Sequence, residues 1–178
     1  MSAGELLEVY DASGQATGIA KRRAAIHRDG DWHLAFFCWI VTSDHRVLLQ
    51  RRAPDKDVWP GRLDASAAGH VRFGEGISGA LREIEEELGV PPPPLEALEY
   101  VGRFRHESVH GQGTTRIVCR EHEEVFVWRS DRPIEEYRPG PEVSELVFVP
   151  LAELASLGDA LVPHDTSALA SIARRQLP

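Results

Sequence analysis

The sequence is poor in cysteine, with two in 178 residues. Cys38 lies in the apolar run AFFCWIV and Cys119 in RIVCREH, and such a pair without further partners reads as two buried thiols rather than a disulfide or a metal site. Positive charge is also in short supply: 20 Lys and Arg face 28 Asp and Glu, for a formal net charge of −8. That balance argues against binding a nucleic-acid polymer, because such binding uses Lys and Arg to neutralise phosphates. A small anion needs less, either a local basic cluster or metal ions held by acidic side chains. No apolar run approaches the roughly 18 to 20 residues that cross a bilayer, so no membrane partner is expected. The opening MSAGELLEVYDASG lacks the basic and apolar regions of a secretory signal, which makes a cytoplasmic location the expectation. Repeats and long low-complexity tracts are lacking as well.

What is present fits one domain over residues 1–178, since 42% apolar and 27% charged residues are globular values. LLEVYD predicts a short strand and ASGQATG a turn. HLAFFCWIV and RVLLQRR predict a hairpin around TSDH. The first of these is almost continuously apolar, as in a strand covered on both faces, so helices are expected to cover the sheet. RLDASAAGHV reads as loop or strand. Further strands are expected at LEYVGRFRH, near TTRIVCREHEEVFVW and at SELVFV, and one or two helices from PLAELASL through TSALASIARRQ. The fold class is therefore α/β, with a mixed β-sheet between helices.

Four glutamates fall within REIEEELGV, residues 82–90. Ile77, Leu81, Ile84 and Leu88 recur at helical spacing and cluster within about 60° on a helical projection, while Glu83, Glu86 and Glu87 cluster within about 100° on the far side. Gly89 is a suitable stop, and the prolines at 91–94 forbid continuation. Like charges one turn apart repel by roughly 0.2–0.5 kcal/mol per pair. A Glu-rich helix face is usually just solvated. Three carboxylates at i, i+3 and i+4 can also surround a hard divalent cation, whose preferred ligands are oxygens. Glu85 points elsewhere, and Arg82 can reach Glu86 at i+4.

The context favours metal. GHVRFGE (69–75), GISGAL and REIEEELGV together resemble the signature of the Nudix hydrolases, G-x5-E-x7-R-E-U-x-E-E-x-G-U. One departure stands out: six residues separate Glu75 from Arg82, where the family has seven. GISG is expected to absorb the deletion by shortening the first helical turn, so that the position of Glu75, rather than the metal-binding half, is affected. The resemblance covers about residues 6–155, leaving a C-terminal helical extension at about 156–178. It implies a Nudix α/β/α sandwich and attack of water on a diphosphate, with Mg²⁺ or Mn²⁺ as cofactor. Carried over by position, Glu83, Glu86 and Glu87 hold metal, the Gly69 carbonyl adds a ligand, and Arg82 orients a glutamate. Glu86 is the first candidate for general base, with Glu121, Glu123, Glu124 and Glu142 as alternatives.

Within the superfamily, VYDASGQATG, IHRDGDWHLAF, LLQRRAPDKDVWPGRLDASAAGH and EEELGV resemble the branch related to isopentenyl-diphosphate isomerase. That resemblance implies a metal held by histidines and a glutamate, at places near His27, His33, His70 and Glu121; His33 and His70 match best. The isomerases also need a cysteine just before the Gly-His of the small-residue segment, where this chain has Ala68. Isomerase chemistry is therefore disfavoured. The expectation is a hydrolase of a nucleoside diphosphate derivative or similar small molecule, with an isomerase-like enzyme or a non-catalytic nucleotide-binding module as alternatives.

Arg51, Arg52 and Lys56 form a basic cluster suited to gripping a diphosphate, or alternatively to pairing with Asp55 and Asp57. Lys21, Arg22 and Arg23 form a weaker one. Trp59 reads as a packing anchor. Dimers are common for the fold, with the N-terminal strand or the final helix as the candidate homodimer interface.

Overall fold

The computed structural model describes residues 4–174 and has the expected mixed sheet between helices. Its strands are β1 (Leu6–Tyr10), β2 (Ala16–Arg22), β3 (Trp32–Val41), β4 (Arg46–Arg52), β5 (Leu63–Asp64), β6 (Ala67–His70), β7 (Glu99–His110), β8 (Ile117–Arg129) and β9 (Val143–Pro150). Its α-helices are α1 (Arg23–Asp29), α2 (Gly76–Gly79), α3 (Arg82–Leu88) and α4 (Thr166–Ala173), with a 3₁₀ turn at Leu151–Ser156 before α4. Part of TSALASIARRQ lies outside the described residues.

β3 is the spine. All ten of its residues are buried, which is why its sequence reads as a continuous apolar run. Along one side it pairs with β8 in parallel, from Trp32↔Arg120 to Val41↔Arg129. Along the other it meets β1, then β6, then β4, all antiparallel. Its even-numbered residues Leu34, Phe36, Cys38 and Ile40 pack with Leu81, Ile84 and Leu88, the apolar stripe of the acidic helix. Its odd-numbered residues Ala35, Phe37, Trp39 and Val41 pack on the opposite face with Leu151, Leu154 and Ile172. Period-two alternation on one strand thus builds both cores.

β3 and β4 pair directly only at Ile40↔Leu48 and Val41↔Val47. Beyond that they diverge, and the fully buried Ser66 fills the gap: its Oγ accepts the Ile40 N–H at 2.7 Å and donates to the Leu48 carbonyl. Ser66→Ala leaves both backbone groups buried and unpaired. We expect it to cost roughly 2 kcal/mol or more, read as a lower urea midpoint; an unchanged midpoint excludes this role.

Two elements differ from expectation. The segment read as a turn at 12–18 continues into β2, whose side chains are mostly exposed and so leave no buried alternation to read. The basic triplet Lys21–Arg23 runs into α1, which no Ser, Thr, Asp or Asn caps: Arg22 holds the N-cap position without a side-chain bond.

The acidic helix is broken as well. Between α2 and α3 the amides of Ala80, Leu81, Glu83 and Ile84 bond three residues back, to Ile77, Ser78, Ala80 and Leu81. Such winding rises about 2.0 Å per residue against 1.5 Å for an α-helix, so fewer residues span the same distance. At the other end Gly89 adopts φ 64° and donates to the Glu85 carbonyl, while the amides of Arg138 and Gly140 cap the Leu88 and Glu87 carbonyls at 2.8 and 2.9 Å. The last turn of α3 is thereby tied to the segment before β9.

Candidate functional site

A cavity of about 950 Å³ opens where β6, α3, α1, β8 and the 52–59 loop converge. One wall belongs to α3. Burial pushes the Glu83 carboxyl up to about 7, with Arg82 beside it pulling the other way. Its neighbour on the strand side is Gly69: a methyl group there would stand 2.7 Å from Glu83 Cγ. Only glycine lets β6 pass so close to the carboxylate. Glu87 is buried deeper, and burial pushes it up to about 8. Its Oε2 accepts from Gln50 Nε2 at 2.7 Å and from the Ala68 amide at 2.8 Å. Glu86 is exposed on the rim, with Arg72 and Arg82 nitrogens at 3.8 and 3.9 Å.

Arg82 joins these parts. Its Nη1 pairs with Glu83, and its Nη2 donates to the His70 carbonyl at 3.0 Å and lies 3.3 Å from both Glu5 and Glu75. The contact expected with Glu86 exists but is the longest of the set. Glu75 also accepts the Arg72 amide at 2.8 Å, so in this shortened loop it braces Arg82. Glu5, which the sequence did not mark, completes the bracing by accepting from Arg72 at 2.9 Å.

The second wall holds the histidines. His27 comes from α1, His33 from the start of β3 and His70 from the end of β6, with ring centroids 4.9–5.5 Å apart. The in-register pairing His33↔Glu121 brings β8 to the same point. Glu121 Oε1 lies 3.5 Å from His33 Nε2, 3.3 Å from His70 Nε2 and 3.1 Å from the Cys119 thiol. Burial drives the His27 imidazole down to about 3, with the neighbouring His70 and His33 rings adding to it, and burial lowers His70 too. Glu121 is held well below the carboxylate range: burial opposes this, and hydrogen bonds from His33 and His70 outweigh it. The group sets three imidazoles around one carboxylate held in its ionised form. The His27 Nε2 is buried without a hydrogen-bond partner among the described residues. Three imidazoles beside a buried carboxylate form a ligand set suited to a divalent cation.

The basic residues divide. Arg52 faces the cavity, fixed by Asp64 at 2.9 Å, and Asp64 in turn contacts His164 at 3.0 Å. Lys56 also lines the cavity, paired with Glu142. Arg51 points the other way along β4, to Glu145 at 2.7 Å and the Gly61 carbonyl at 3.1 Å, and does not line the cavity. That corrects its grouping with Arg52: successive strand residues face opposite sides. Of the weaker triplet, Lys21 bonds Asp29 and Asp31, whereas Arg23 lines the cavity with its Nε buried and unpaired. Trp59, half-buried with φ 50°, lines the mouth and meets His110 edge-on at 4.6 Å, so it is more than an anchor in the core. Glu123 lines the cavity and is driven well above the carboxylate range, by burial and then by Glu121, Asp64 and Asp165. Glu124 faces the other side of β8, held by Tyr100 and Arg103 at 2.6 Å each.

The sequence model of the NUDIX domain matches residues 31–170. Nudix hydrolase 3 of Arabidopsis thaliana is 38% identical over 174 residues, which make up 93% of this chain and 22% of that protein; the chain thus spans about a fifth of that relative. An isopentenyl-diphosphate Delta-isomerase of Paenarthrobacter aurescens is 33% identical over 180 residues, covering all of this chain and 91% of that one. Among solved structures, DR0079 from Deinococcus radiodurans superposes with a TM-score of 0.67 at 24% identity, covering 98% of this chain and 100% of its own; that likeness concerns the fold. Among the described residues no helix is long and apolar enough to cross a membrane.

Proposed function

Because this chain belongs to the Nudix hydrolase family, we propose that it hydrolyses the diphosphate linkage of a nucleoside diphosphate derivative or similar small molecule, using Mg²⁺ or Mn²⁺ held by Glu83, Glu86, Glu87 and the Gly69 carbonyl. The observation that carries this reading is the pair Glu83 and Glu87: a half-buried and a buried carboxyl, pushed up to about 7 and about 8, face one cavity. Such acids ionise at neutral pH when a cation joins them. A divalent ion bound there supplies neutralisation of diphosphate charge and acidification of a bound water.

The chain's own residues do the rest. Arg82 fixes the Glu83 carboxylate, and Gln50 with the Ala68 amide fixes Glu87. Arg52, Lys56 and Arg23 line the cavity as cations for phosphate oxygens. Glu86 is the general base of this reading, since among the described residues its carboxylate meets only Arg72 and Arg82, at 3.8 and 3.9 Å. The test is release of phosphate-containing products from a panel of diphosphate compounds with Mg²⁺ or Mn²⁺. Glu86→Gln with Glu87→Gln is expected to lower turnover by about 100-fold or more; activity that survives the double substitution overturns the mechanism. Tight binding without product in the same panel points instead to a non-catalytic nucleotide-binding module.

The histidine cluster favours the isomerase as a second reading. Against it, Ala68 stands where the cysteine is required, and its amide is engaged by Glu87. Cys38 lies in the core on the α3 face, so it cannot substitute. We expect no exchange of solvent deuterium into isopentenyl diphosphate, followed by proton NMR; measurable exchange restores the isomerase.

A further inference from the structure

We propose that Cys119 is a donor to the histidine centre, and that the ion held there is a thiolate-bound transition metal such as Zn²⁺, chemically distinct from the oxygen-held cation of the acidic helix. The inference rests on reading the histidines as a metal centre and is independent of the hydrolase reading. Cysteine and histidine select zinc-like ions, whereas Mg²⁺ takes oxygen ligands. A Cys119 ligand therefore gives the two walls of one cavity different metal preferences.

The geometry converges from three directions. Ligand atoms of His33, Cys119 and Glu121 all lie within 4.8 Å of one another, and so do those of His27, His33 and His70, with His33 shared. Strand alternation places Cys119 on the same face of β8 as Glu121 and Glu123, turned toward the start of β3. Three donors crowd one carboxylate oxygen, Glu121 Oε1: the Cys119 thiol at 3.1 Å and the Nε2 atoms of His70 and His33 at 3.3 and 3.5 Å. A single oxygen serves so many donors poorly. A cation among them replaces the competing protons with bonds from sulfur and nitrogen lone pairs. His27, 5% exposed and with an Nε2 that has no hydrogen-bond partner among the described residues, places a ligand nitrogen within 4.8 Å of those of His33 and His70. Cys38 supplies the contrast: equally buried, it lies among apolar side chains on the opposite face of β3. When the ion binds, the Cys119 S–H bond breaks, its proton goes to solvent and the thiolate forms the bond to metal, while each imidazole that binds through Nε2 keeps its one proton on Nδ1, which in His33 stands 3.2 Å from the Asp31 carbonyl.

Two measurements test this without substrate, both in the Glu86→Gln/Glu87→Gln background so that the acidic helix does not compete. X-ray absorption at the zinc edge is expected to show one sulfur neighbour at about 2.3 Å beside nitrogen and oxygen at about 2.0–2.1 Å. Loading with Co²⁺ is expected to give a thiolate-to-cobalt charge-transfer band in the near ultraviolet. Cys119→Ser and Cys119→Ala are expected to remove that band, keep the visible ligand-field bands of the histidines, and weaken zinc binding roughly tenfold or more against a chromogenic chelator. A nitrogen and oxygen shell without sulfur in the unmutated Cys119 protein overturns the role of Cys119, as does an unchanged cobalt spectrum in both variants. Failure to bind either ion overturns the histidine centre itself, and in every case the hydrolysis assay stands separately.

Discussion

Gly69→Ala is expected to lower kcat/KM for diphosphate hydrolysis by about 100-fold or more, because displacing a reacting group by about 1 Å costs that much. The backbone at Gly69 is not in the left-handed region, so alanine is conformationally acceptable there. The penalty is contact alone: the new methyl group falls inside the van der Waals envelope of the Glu83 carboxylate, 2.7 Å from its Cγ. Either Glu83 leaves its place beside Arg82, or β6 shifts and takes the Gly69 carbonyl and His70 with it. Both outcomes disperse the proposed ligands. Overpacking of this kind costs about 1–3 kcal/mol in stability, small enough that folded protein should be recovered and assayed. Metal affinity and kcat/KM measured together decide the matter; wild-type values for both exclude Gly69 and Glu83 as partners in the site.

The metal-free protein is expected to lose stability as pH rises from about 6.5 to 8, and Mg²⁺ to remove most of that loss. Glu83 and Glu87 have native values of about 7 and about 8 against an ordinary 4.5. Through the interval the native state binds more protons than the unfolded chain, so stability falls as pH rises. His27 acts in the opposite sense below that interval: its native value of about 3 lies under the ordinary 6.5, so it adds stability as pH climbs toward 6.5. His70 shifts in the same direction. Above about 6.5 those imidazoles are neutral in both states, and the carboxyls dominate. The loss is on the order of a few kcal/mol, because each tenfold difference in proton affinity between the native and unfolded states is worth about 1.4 kcal/mol and the two carboxyls titrate together. Urea midpoints at several pH values, in chelator and in Mg²⁺, give the measurement. Glu83→Gln with Glu87→Gln should make the metal-free profile shallower, leaving the fall that Glu123 contributes in the same sense; a flat profile in the unsubstituted protein excludes the linkage.

Much of this architecture was legible in the sequence where periodicity and burial coincide. β3, β4, β7, β8 and β9 announced themselves by apolar strands between turns, and α3 by a stripe that buries Ile84 and Leu88 completely. α1 was not legible, because it is a single short segment without a capping side chain. Its loss mattered, since α1 delivers Arg23 and His27 to the cavity. Spacing of Glu83, Glu86 and Glu87 was readable from helical geometry. That Glu86 stays in water while Glu83 is half covered and Glu87 buried depends on β6 and β4 lying against the helix, which no local pattern records. Arg51 and Arg52 were indistinguishable as neighbours in sequence. The strand turns one inward and the other outward, and only register against β5 and β9 decides which. Cys119 read as an inert buried thiol because His33, which stands beside it and its strand neighbour Glu121, reaches them only through the fold.

The parallel ladder between β3 and β8 also shapes how the protein reaches its native state. His33 and Glu121 are 88 positions apart in the chain, yet they are direct partners on one of the ladder's ten consecutive rungs. Closing so long a loop costs entropy before any rung forms, and topologies dominated by such pairings cross their folding barrier slowly. The histidine centre therefore comes into existence only when that ladder zips, and the unfolded chain offers an ion no comparable arrangement of ligands. A metal bound there would slow unfolding far more than it speeds folding, acting as a lock on the finished sheet.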